Sequence, residues 1–390
     1  MESQEKILVF CSREICYLSG NFFAHQLAAA FEDLGYETTV CEFTSQDDLD
    51  TVLSPFFGKK YRAVFDFNSL LPRLVMDDGT PVIDLIDGPF YDYIVDHPLF
   101  HYNCLMTQAK NFHAIVLDEG QAEYVKRYHP QVKSVHMLPL GATVALFDGE
   151  KNPADHVLFM GTYDAPEKVY DIVKAAPEPF RGMMKRIIEM RINAPELPME
   201  EAFAECLKED GMELDNAQFA LFMNAMYASD AYIRDYFRKA ALDELLKKKI
   251  PVHLVGEGWE KYQTPHKKYR TIGKPVTFDL SFEKIVREQI MLDVSPIFNR
   301  GIHDRAIAGM ANRTVVLTDE NPYRRSNFKD RMDMMFYSLT RIDSLSEAAG
   351  ELMENEELRI KIRENAYRTF CTGHTWKARA EEILSWGAKD

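Results

Sequence analysis

The sequence predicts an α/β protein of two doubly wound, Rossmann-like domains that face each other across a cleft, with a helical insert in the second domain. Short, continuous apolar runs alternate with helical segments, a rhythm typical of parallel strands covered on both faces. This rhythm restarts near residue 156, after a polar linker. The 390 residues are enough for two or three domains of about 150 residues each.

Composition and charge narrow the function classes. With 46% hydrophobic and 27% charged residues, the chain is typical of a globular protein with ordinary cores. The formal net charge of −15 argues against nucleic acid as the main partner, because phosphate binding relies on clustered Lys and Arg. No apolar run approaches the roughly 18 residues of a transmembrane helix.

The N-terminus and the cysteines favour a cytoplasmic location. A strand begins at Ile7 without a signal-peptide pattern before it. The six cysteines form neither a CxxC pair nor a His/Cys cluster at zinc spacing. We therefore expect free thiols and no metal centre.

The first domain is predicted over residues 1–150. A helix over 22–36 connects its first two strands. The polar stretch 148–155 reads as the exit linker. The predicted strands are 7–11, 37–43, 61–68, 80–87, 113–119 and 132–139.

The second domain is predicted over residues 151–372. Its first strand, 156–163, is followed by a helical insert over about 166–249. The α/β rhythm then resumes, and the chain ends in helical segments. The later strands are predicted at 250–259, 269–274, 293–297 and 314–318.

The stretch 293–319 is the leading candidate for a ligand site. It is predicted as a strand, a turn on Gly301, a helix over 303–312 and a second strand. A glycine permits φ > 0 or a close approach of another group to the backbone. A helix start offers unpaired N–H groups and partial positive charge, which favour an anion such as phosphate. Four polar residues lie at this junction: Arg300, His303, Asp304 and Arg305.

Doubly wound sheets bind ligands outside the carboxyl ends of their strands. We therefore look for functional residues in the segments that follow predicted strands. These segments are 12–20, 66–69, 84–89, 161–163, 256–259, 300–305 and 319–323.

The C-terminal half resembles the nucleotide-sugar-binding half of a GT-B glycosyltransferase. It is similar to the bacterial "glycosyl transferases group 1" family and its spore-maturation-protein-like members. The resemblance covers about 235–385, whereas the first domain matches weakly, through phrases such as DHPLF at 96–100. The matching pieces lie at 236–259, 301–319, 327–339 and 374–384.

The resemblance implies a GT-B fold and a UDP- or GDP-sugar donor, used as a substrate without a bound metal ion or other cofactor. It implies that the helix over 373–390 packs back on the first domain. It also places these residues near the donor: Gly161, Thr162, Gly256, Glu257, Trp259, Arg300, Gly301, His303, Asp304, Arg305 and Asp319.

The sequence departs from related retaining enzymes at two positions. Those enzymes carry two glutamates, one near the donor sugar and one on the ribose. The corresponding residues here are Arg300 and Ala308. A third position, usually small, is Arg313.

The donor-side residues each have a functional and a structural interpretation. Arg305 is suited to clamp a phosphate in a bidentate manner, or to pair with Asp304 or a neighbouring helix. His303 would donate a hydrogen bond to the donor, or cap the turn.

The remaining three residues leave the same choice open. Asp304 would contact the donor or serve as a helix N-cap. Trp259 would stack on the base or lie in the core. Asp319 would hold sugar hydroxyls or belong to a turn-and-cap sequence.

An inverting transferase needs a general base for the attacking hydroxyl, whereas a retaining enzyme does not. The candidates at predicted strand ends are Asp66, Asp87 and the pair of Asp96 with His97. Asp87 is followed by Gly88 and two tyrosines, a composition suited to a sugar or aromatic acceptor. His97 precedes Pro98 and has the alternative role of fixing that turn.

We therefore predict a cytoplasmic glycosyltransferase with a nucleotide-sugar donor and an unidentified glycan, lipid-linked or protein acceptor. Two alternatives stay open: a nucleotide-sugar 2-epimerase of the same fold, and a non-catalytic nucleotide-sugar binder. The helical insert is open to three roles, which are widening the cleft, recognising the acceptor and forming a homo-oligomer contact.

Overall fold

The computed structural model describes residues 5–12, 18–44 and 46–386. Residues 13–17 of the predicted strand-following loop 12–20 lie outside that description. Two sheets of six strands each, all paired in parallel, form the framework. None of the helices described is both long and apolar enough to cross a bilayer.

The first sheet has the strand order β2-β1-β3-β4-β5-β6. Its strands β3, β4 and β5 are buried along their whole length, as expected where helices cover both faces of a parallel sheet. The strands are β1 (Lys6–Ser12), β2 (Glu37–Phe43), β3 (Ala63–Phe67), β4 (Phe90–Ile94), β5 (Phe112–Val116) and β6 (Ser134–Met137).

The helices of this domain include α1, which follows β1 and packs on the sheet through Phe23, Leu27 and Phe31. They are α1 (Ser19–Glu32), α2 (Leu49–Leu53), α3 (Tyr102–Leu105) and α4 (Glu119–Tyr128).

The second sheet has the order β12-β11-β10-β7-β8-β9. Its chain order therefore reverses between β7 and β10, which is the topological switch point where such folds bind ligands. The strands are β7 (Val157–Met160), β8 (Val252–Val255), β9 (Arg270–Gly273), β10 (Ile290–Asp293), β11 (Val315–Asp319) and β12 (Met335–Tyr337).

The predicted helical insert is confirmed, because five helices and no strand lie between β7 and β8, where every residue is described. They are α5 (Pro166–Ala175), α6 (Phe180–Asn193), α7 (Met199–Glu209), α8 (Asn216–Ala225) and α9 (Tyr227–Lys247). The remaining helices are α10 (Phe278–Ile285), α11 (Asp304–Ala311), α12 (Pro322–Asn327), α13 (Asp343–Glu354), α14 (Glu356–Gly373) and α15 (Trp376–Trp386).

Two strand predictions are wrong, and one strand was not predicted. Residues 80–87 contain a 3₁₀ turn at Val82–Leu85, and the fourth strand is β4 instead. The strand predicted at 293–297 ends at Asp293, because the chain turns away after Val294. The strand β12 was not predicted, because its three residues are too few to show a hydrophobic pattern.

The two domains contact each other through apolar residues of α1, α10 and α15. Phe22 of α1 stacks on Phe282 of α10 at a centroid distance of 5.1 Å. Ala380 and Ile383 of α15 belong to the same buried cluster as Leu27 of α1. The last helix of the chain is thus packed on the first domain.

Candidate active site

The loops that follow β7 and β8 are held together at the carboxyl edge of the second sheet. Gly161 donates its N–H to the carbonyl of Val255 at 2.9 Å. The indole N–H of Trp259 donates to the carbonyl of Gly161 at 2.8 Å. Two adjacent strand ends therefore present a fixed stretch of backbone toward the switch point.

Gly256 is required by this close approach. Its φ is +141°, and a Cβ at this position would lie 2.1 Å from the carbonyl oxygen of Gly161. No side chain fits in that space, so only glycine lets the two loops meet.

Trp259 is fully buried. Its ring packs against Phe159, Tyr163 and Tyr262 at centroid distances of 5.6, 5.1 and 5.9 Å. Its location matches the core interpretation, since no face is open to stack on a base.

Thr162 and Glu257 lie in the same two loops. Tyr163 donates its N–H to the carbonyl of Glu257 at 2.9 Å. Thr162 is half-buried next to Gly161, and the Glu257 side chain is exposed.

Arg305 lies in the first turn of α11, beside Gly161. One end of its guanidinium, Nη1, donates to Oδ1 of Asp293 at 2.8 Å. The other end faces Gly161, with Nη2 3.5 Å from where a Cβ on that glycine would lie. Arg305 thus pairs with Asp293, the last residue of β10, and not with Asp304 or a neighbouring helix.

Asp293 belongs to a buried ionic network under the site. Its Oδ2 accepts hydrogen bonds from Ser295 and Thr318 at 2.7 and 3.0 Å, and lies 4.0 Å from Arg324 Nη2. Burial alone would raise the pKa of Asp293, but Arg305, His303 and Arg324 hold it below its usual value. The carboxylate is therefore ionised and fixes the arginine.

Asp319 is part of the same network and has a structural role in this arrangement. Its Oδ1 accepts the N–H of Ser295 at 2.8 Å, and its Oδ2 lies 2.9 Å from Nη1 of Arg324. Burial raises the pKa of Asp319, against the opposing charge of Arg324. This carboxylate is 2% exposed, so it braces the loop instead of reaching into the cleft.

His303 is the N-cap of α11, a role that we had considered for Asp304. Its Nδ1 lies 3.1 Å from the backbone N of Arg305 and 2.6 Å from Oδ1 of Asp304. Neutral at Nδ1, the ring accepts the N–H of Arg305; protonated there, it donates to Asp304. Burial opposes ionisation of Asp304, but His303 and Arg305 lower its pKa. Both side chains therefore fix the helix start that presents Arg305.

Arg300 and Gly301 contact the first domain directly. The N–H of Arg300 donates to Oδ2 of Asp118 at 2.6 Å, and its guanidinium donates to the Glu123 carboxylate at 2.6 and 3.1 Å. Gly301 pairs with Asp118 in an isolated antiparallel bridge. The loop before α11 is therefore bonded to the start of α4.

Sequence reasoning missed two arginines of α9. Arg234 and Arg238 are four residues apart and share one helix face, which was the available signal. Burial lowers the pKa of Arg238 to about 9, helped by the nearby charges of Arg234 and Arg305. Its Nε is buried without a hydrogen-bond partner among the described residues.

Asp87 is not placed at the cleft. It is exposed and precedes β4, with its main chain bridged to Lys60. Because parallel strands share one direction, Asp87 lies at the amino edge of the first sheet, opposite the carboxyl edge. The prediction of Asp87 as a base rested on the wrong strand assignment.

His97 has the turn-fixing role. Its Nδ1 accepts the N–H of Leu99 at 3.0 Å, and its Nε2 lies 3.8 Å from Glu200 of α7. Asp66 is also unsuited to a cleft role, because it is 1% exposed and accepts hydrogen bonds from Phe67 and Ser69.

Asp96 is the acid from this set that follows a strand and is exposed. Its Oδ2 accepts a hydrogen bond from Asn68 at 2.8 Å. Burial lowers the pKa of Arg234, but the charges of Asp235 and, more weakly, Asp96 raise it above its usual value. Asp96 therefore lies within electrostatic range of Arg234.

Comparison with known proteins adds three findings. Residues 234–385 match the family model described as "Glycosyl transferase-like". No curated protein matches the chain by sequence. Sucrose-phosphate synthase from Thermosynechococcus elongatus has a similar structure, with a TM-score of 0.58 at 11% identity, covering 98% of both chains.

Two further structures are similar over their full length. An alpha-glucosyltransferase in complex with UDP and a 13-mer DNA containing a HMU base has a TM-score of 0.55 at 12% identity, covering 99% of this chain and 100% of its own. AviGT4, a glycosyltransferase involved in avilamycin A biosynthesis, has a TM-score of 0.53 at 9% identity, covering 99% and 97%. At these identities the likeness is one of fold.

Proposed function

We propose that this chain transfers a sugar from a nucleoside diphosphate sugar to an acceptor hydroxyl or amine. The chain has the GT-B fold throughout, and its residues 234–385 match the glycosyl transferase-like family model. The observation that carries the proposal is the position of Arg305 at the switch point of the second sheet, where its guanidinium lies between Asp293 and Gly161. The charges of Arg305 and Arg234 both act on Arg238 of α9.

Two of these arginines have carboxylate partners, since Arg234 donates to Asp235 at 3.0 Å and Arg305 donates to Asp293 at 2.8 Å. Nε of Arg238 is buried without a hydrogen-bond partner among the described residues, which favours an anionic ligand there. The whole chain carries a net charge of −15, so these arginines form a local basic site in an acidic protein. Neighbouring like charges destabilise one another, and Asp235 and Asp293 offset part of the repulsion at Arg238. A diphosphate carries negative charge and accepts the planar, bidentate hydrogen bonds of arginine.

Arg305 is prepared for such a ligand by its partners. Asp293 holds Nη1, so the side chain is ordered before the donor binds. The Nη2 end faces Gly161, where the backbone allows a phosphate to approach closely. Charge on the leaving diphosphate would be neutralised by side chains and the helix start, without a metal ion.

The two residues that replace the glutamates of related retaining enzymes have structural roles here. Arg300, which replaces the first of them, is engaged with Glu123 of the first domain. Ala308, which replaces the second, is buried in α11. We propose that the ribose and the sugar are held instead by the backbone of the loops at Gly161 and Gly256.

Asp96 is the proposed group on the acceptor side. It is exposed, follows β4, and has one oxygen oriented by Asn68. A carboxylate in that position suits the deprotonation of an attacking hydroxyl. The epimerase and binder alternatives find no support in the comparisons.

Binding of UDP and GDP in a buffer with EDTA tests the donor site. We expect Arg238→Ala to weaken nucleotide binding at least tenfold in calorimetry, while Arg186→Ala leaves it unchanged. Arg186 is the matched control because it pairs with Glu209 and Asp210 on the surface of α6. Equal affinities for both variants and the wild type would rule out the proposed diphosphate site.

Release of nucleotide from UDP- and GDP-sugars tests turnover. We expect Asp96→Asn to reduce transfer to an added acceptor about a hundredfold, with nucleotide affinity retained. Tight binding with no hydrolysis or transfer, across a broad acceptor panel, would instead identify a binder. A sugar whose C2 configuration inverts would identify an epimerase.

A further inference from the structure

His156, His253 and Glu288 come together at the amino edge of the second sheet. His156 precedes β7, His253 lies in β8, and Glu288 lies just before β10. One potential ligand atom from each of the three side chains lies within 4.8 Å of the others. The three residues are far apart in the chain, which is why no zinc spacing was visible in the sequence.

His156 and Glu288 are in close contact. His156 Nε2 lies 2.8 Å from Oε2 of Glu288. The same nitrogen is buried and has no other hydrogen-bond partner among the described residues. An imidazole nitrogen and a carboxylate oxygen at this distance share a positive charge, which either a proton or a metal ion supplies.

His253 distinguishes this cluster from a simple ion pair. Its Nδ1 lies 4.0 Å from Oε1 of Glu288, and its ring centroid lies 5.7 Å from that of His156. Tetrahedral ligands at bond lengths of about 2.0 to 2.2 Å are roughly 3.3 Å apart. The observed separations of 2.8 and 4.0 Å bracket that value.

Partners in an outer shell orient two of the three groups. His156 Nδ1 lies 2.7 Å from Oδ1 of Asp155, so a proton on Nδ1 leaves Nε2 with its lone pair toward the cluster. Asn152 donates to Oε1 of Glu288 at 3.0 Å. A carboxylate behind a metal-binding histidine is the usual support for such a ligand.

We infer that His156, His253 and Glu288 bind one divalent transition-metal ion of the zinc class. Two imidazoles and one carboxylate suit zinc, cobalt or nickel, whereas magnesium and calcium prefer oxygen ligands alone. The His156 and His253 side chains are 20% and 27% exposed, so a metal ion has access from solvent and a water molecule can complete the coordination.

The site is separate from the proposed donor site. His156 and Gly161 lie at opposite ends of β7, which puts the two sites about 16 Å apart along the strand. An ion there would join the linker into the second domain, β8 and the turn before β10. Its role is therefore structural, and the inference does not depend on the proposed transferase activity.

Metal titration of the full chain tests this inference. The protein is stripped with a chelator, then titrated with Zn²⁺ by calorimetry and with Co²⁺ by absorption spectroscopy. We expect one ion per chain, visible Co²⁺ bands of a four- or five-coordinate site, and a higher melting temperature with Zn²⁺. His253→Ala and Glu288→Gln should each weaken Zn²⁺ binding at least tenfold.

His25→Ala is the matched control, because His25 Nε2 forms a comparable pair with Glu42 at 2.7 Å. Asp155→Ala should give a smaller loss of affinity than His253→Ala. Where His253→Ala lowers the metal-free melting temperature, His253→Gln serves as the second variant. Absence of stoichiometric binding by the wild type, or equal affinity for all variants, would overturn the inference.

Discussion

Gly301 lies directly against Asp118 of the other domain. The two residues form an antiparallel bridge, and Glu119 donates its N–H to the carbonyl of Arg300 at 3.0 Å. A Cβ on Gly301 would lie 2.4 Å from the carbonyl oxygen of Leu117 and 2.9 Å from Cα of Asp118. Glycine is thus needed here because another domain's backbone approaches, and not because of a left-handed turn.

Gly301→Ala should force the two domains apart at this contact. Overpacking of this kind costs about 1–3 kcal/mol, and it moves the helix start that carries Arg305. We expect nucleotide affinity to fall at least tenfold, measured by calorimetry. Gly350→Ala is the control, because nothing lies within 4 Å of a Cβ at that helical position. A Gly301→Ala variant with wild-type affinity and stability would contradict this account of the contact.

Arg324→Met should strongly destabilise the second domain. Arg324 is fully buried between Asp293 and Asp319, and its removal leaves two buried carboxylates without their counter-charge. Breaking a buried ionic network costs about 3–5 kcal/mol, measured by urea denaturation. The adjacent Arg325 pairs with Glu196 and Glu320 at the surface, so Arg325→Met should cost at most about 1 kcal/mol. Similar losses for the two variants would refute the distinction.

Asp118 should make stability depend on pH between about 4 and 6. Burial raises its pKa to about 6, whereas an exposed aspartate has a pKa near 3.9. The native state therefore retains a proton that the unfolded chain has lost, so the free energy of unfolding falls as pH rises through this window. The fall attributable to Asp118 is about 3 kcal/mol at most.

The variant Asp118→Asn isolates this effect, because other titrating groups are common to both proteins. Urea denaturation at pH 4 and at pH 7 should show the variant gaining stability relative to the wild type at the higher pH. If the difference in unfolding free energy is the same at both pH values, the pKa of Asp118 is not raised.

Trp376→Ala should loosen the attachment of α15 to the first domain. Trp376 is 6% exposed and packs against Phe23 at a centroid distance of 5.9 Å. Truncating a buried tryptophan costs about 3–5 kcal/mol, measured by urea denaturation. Trp386→Ala should cost less, because that half-buried ring mainly stacks on His136. A smaller loss for Trp376→Ala than for Trp386→Ala would show that the helix is held elsewhere.

Gly141→Ala probes the same attachment from the backbone side. A Cβ at Gly141 would lie 2.8 Å from the N atom and from Cδ2 of Trp376. We expect the added methyl to displace the start of α15 and to lower stability by about 1–3 kcal/mol. An unchanged free energy of unfolding would mean that Trp376 can move aside without destabilising the protein.

The strand-and-helix rhythm could be predicted because the apolar runs are local. The prediction of 80–87 failed for a physical reason, since an apolar run of this length fits a buried turn as well as a strand. That error moved Asp87 to the wrong edge of the sheet. Trp259 shows the reverse case, because the sequence left its role open and only packing placed its ring in the core.

The sequence by itself determined the two doubly wound sheets, the helical insert and the glycine-centred loop before Arg305. These follow from patterns within about twenty residues of chain. Only the tertiary structure decided the partners of each charged side chain: Asp293 for Arg305, Glu123 for Arg300, and Glu288 for both His156 and His253. Charge pairing acts over a few ångströms in space, so it depends on which distant segments the fold brings together.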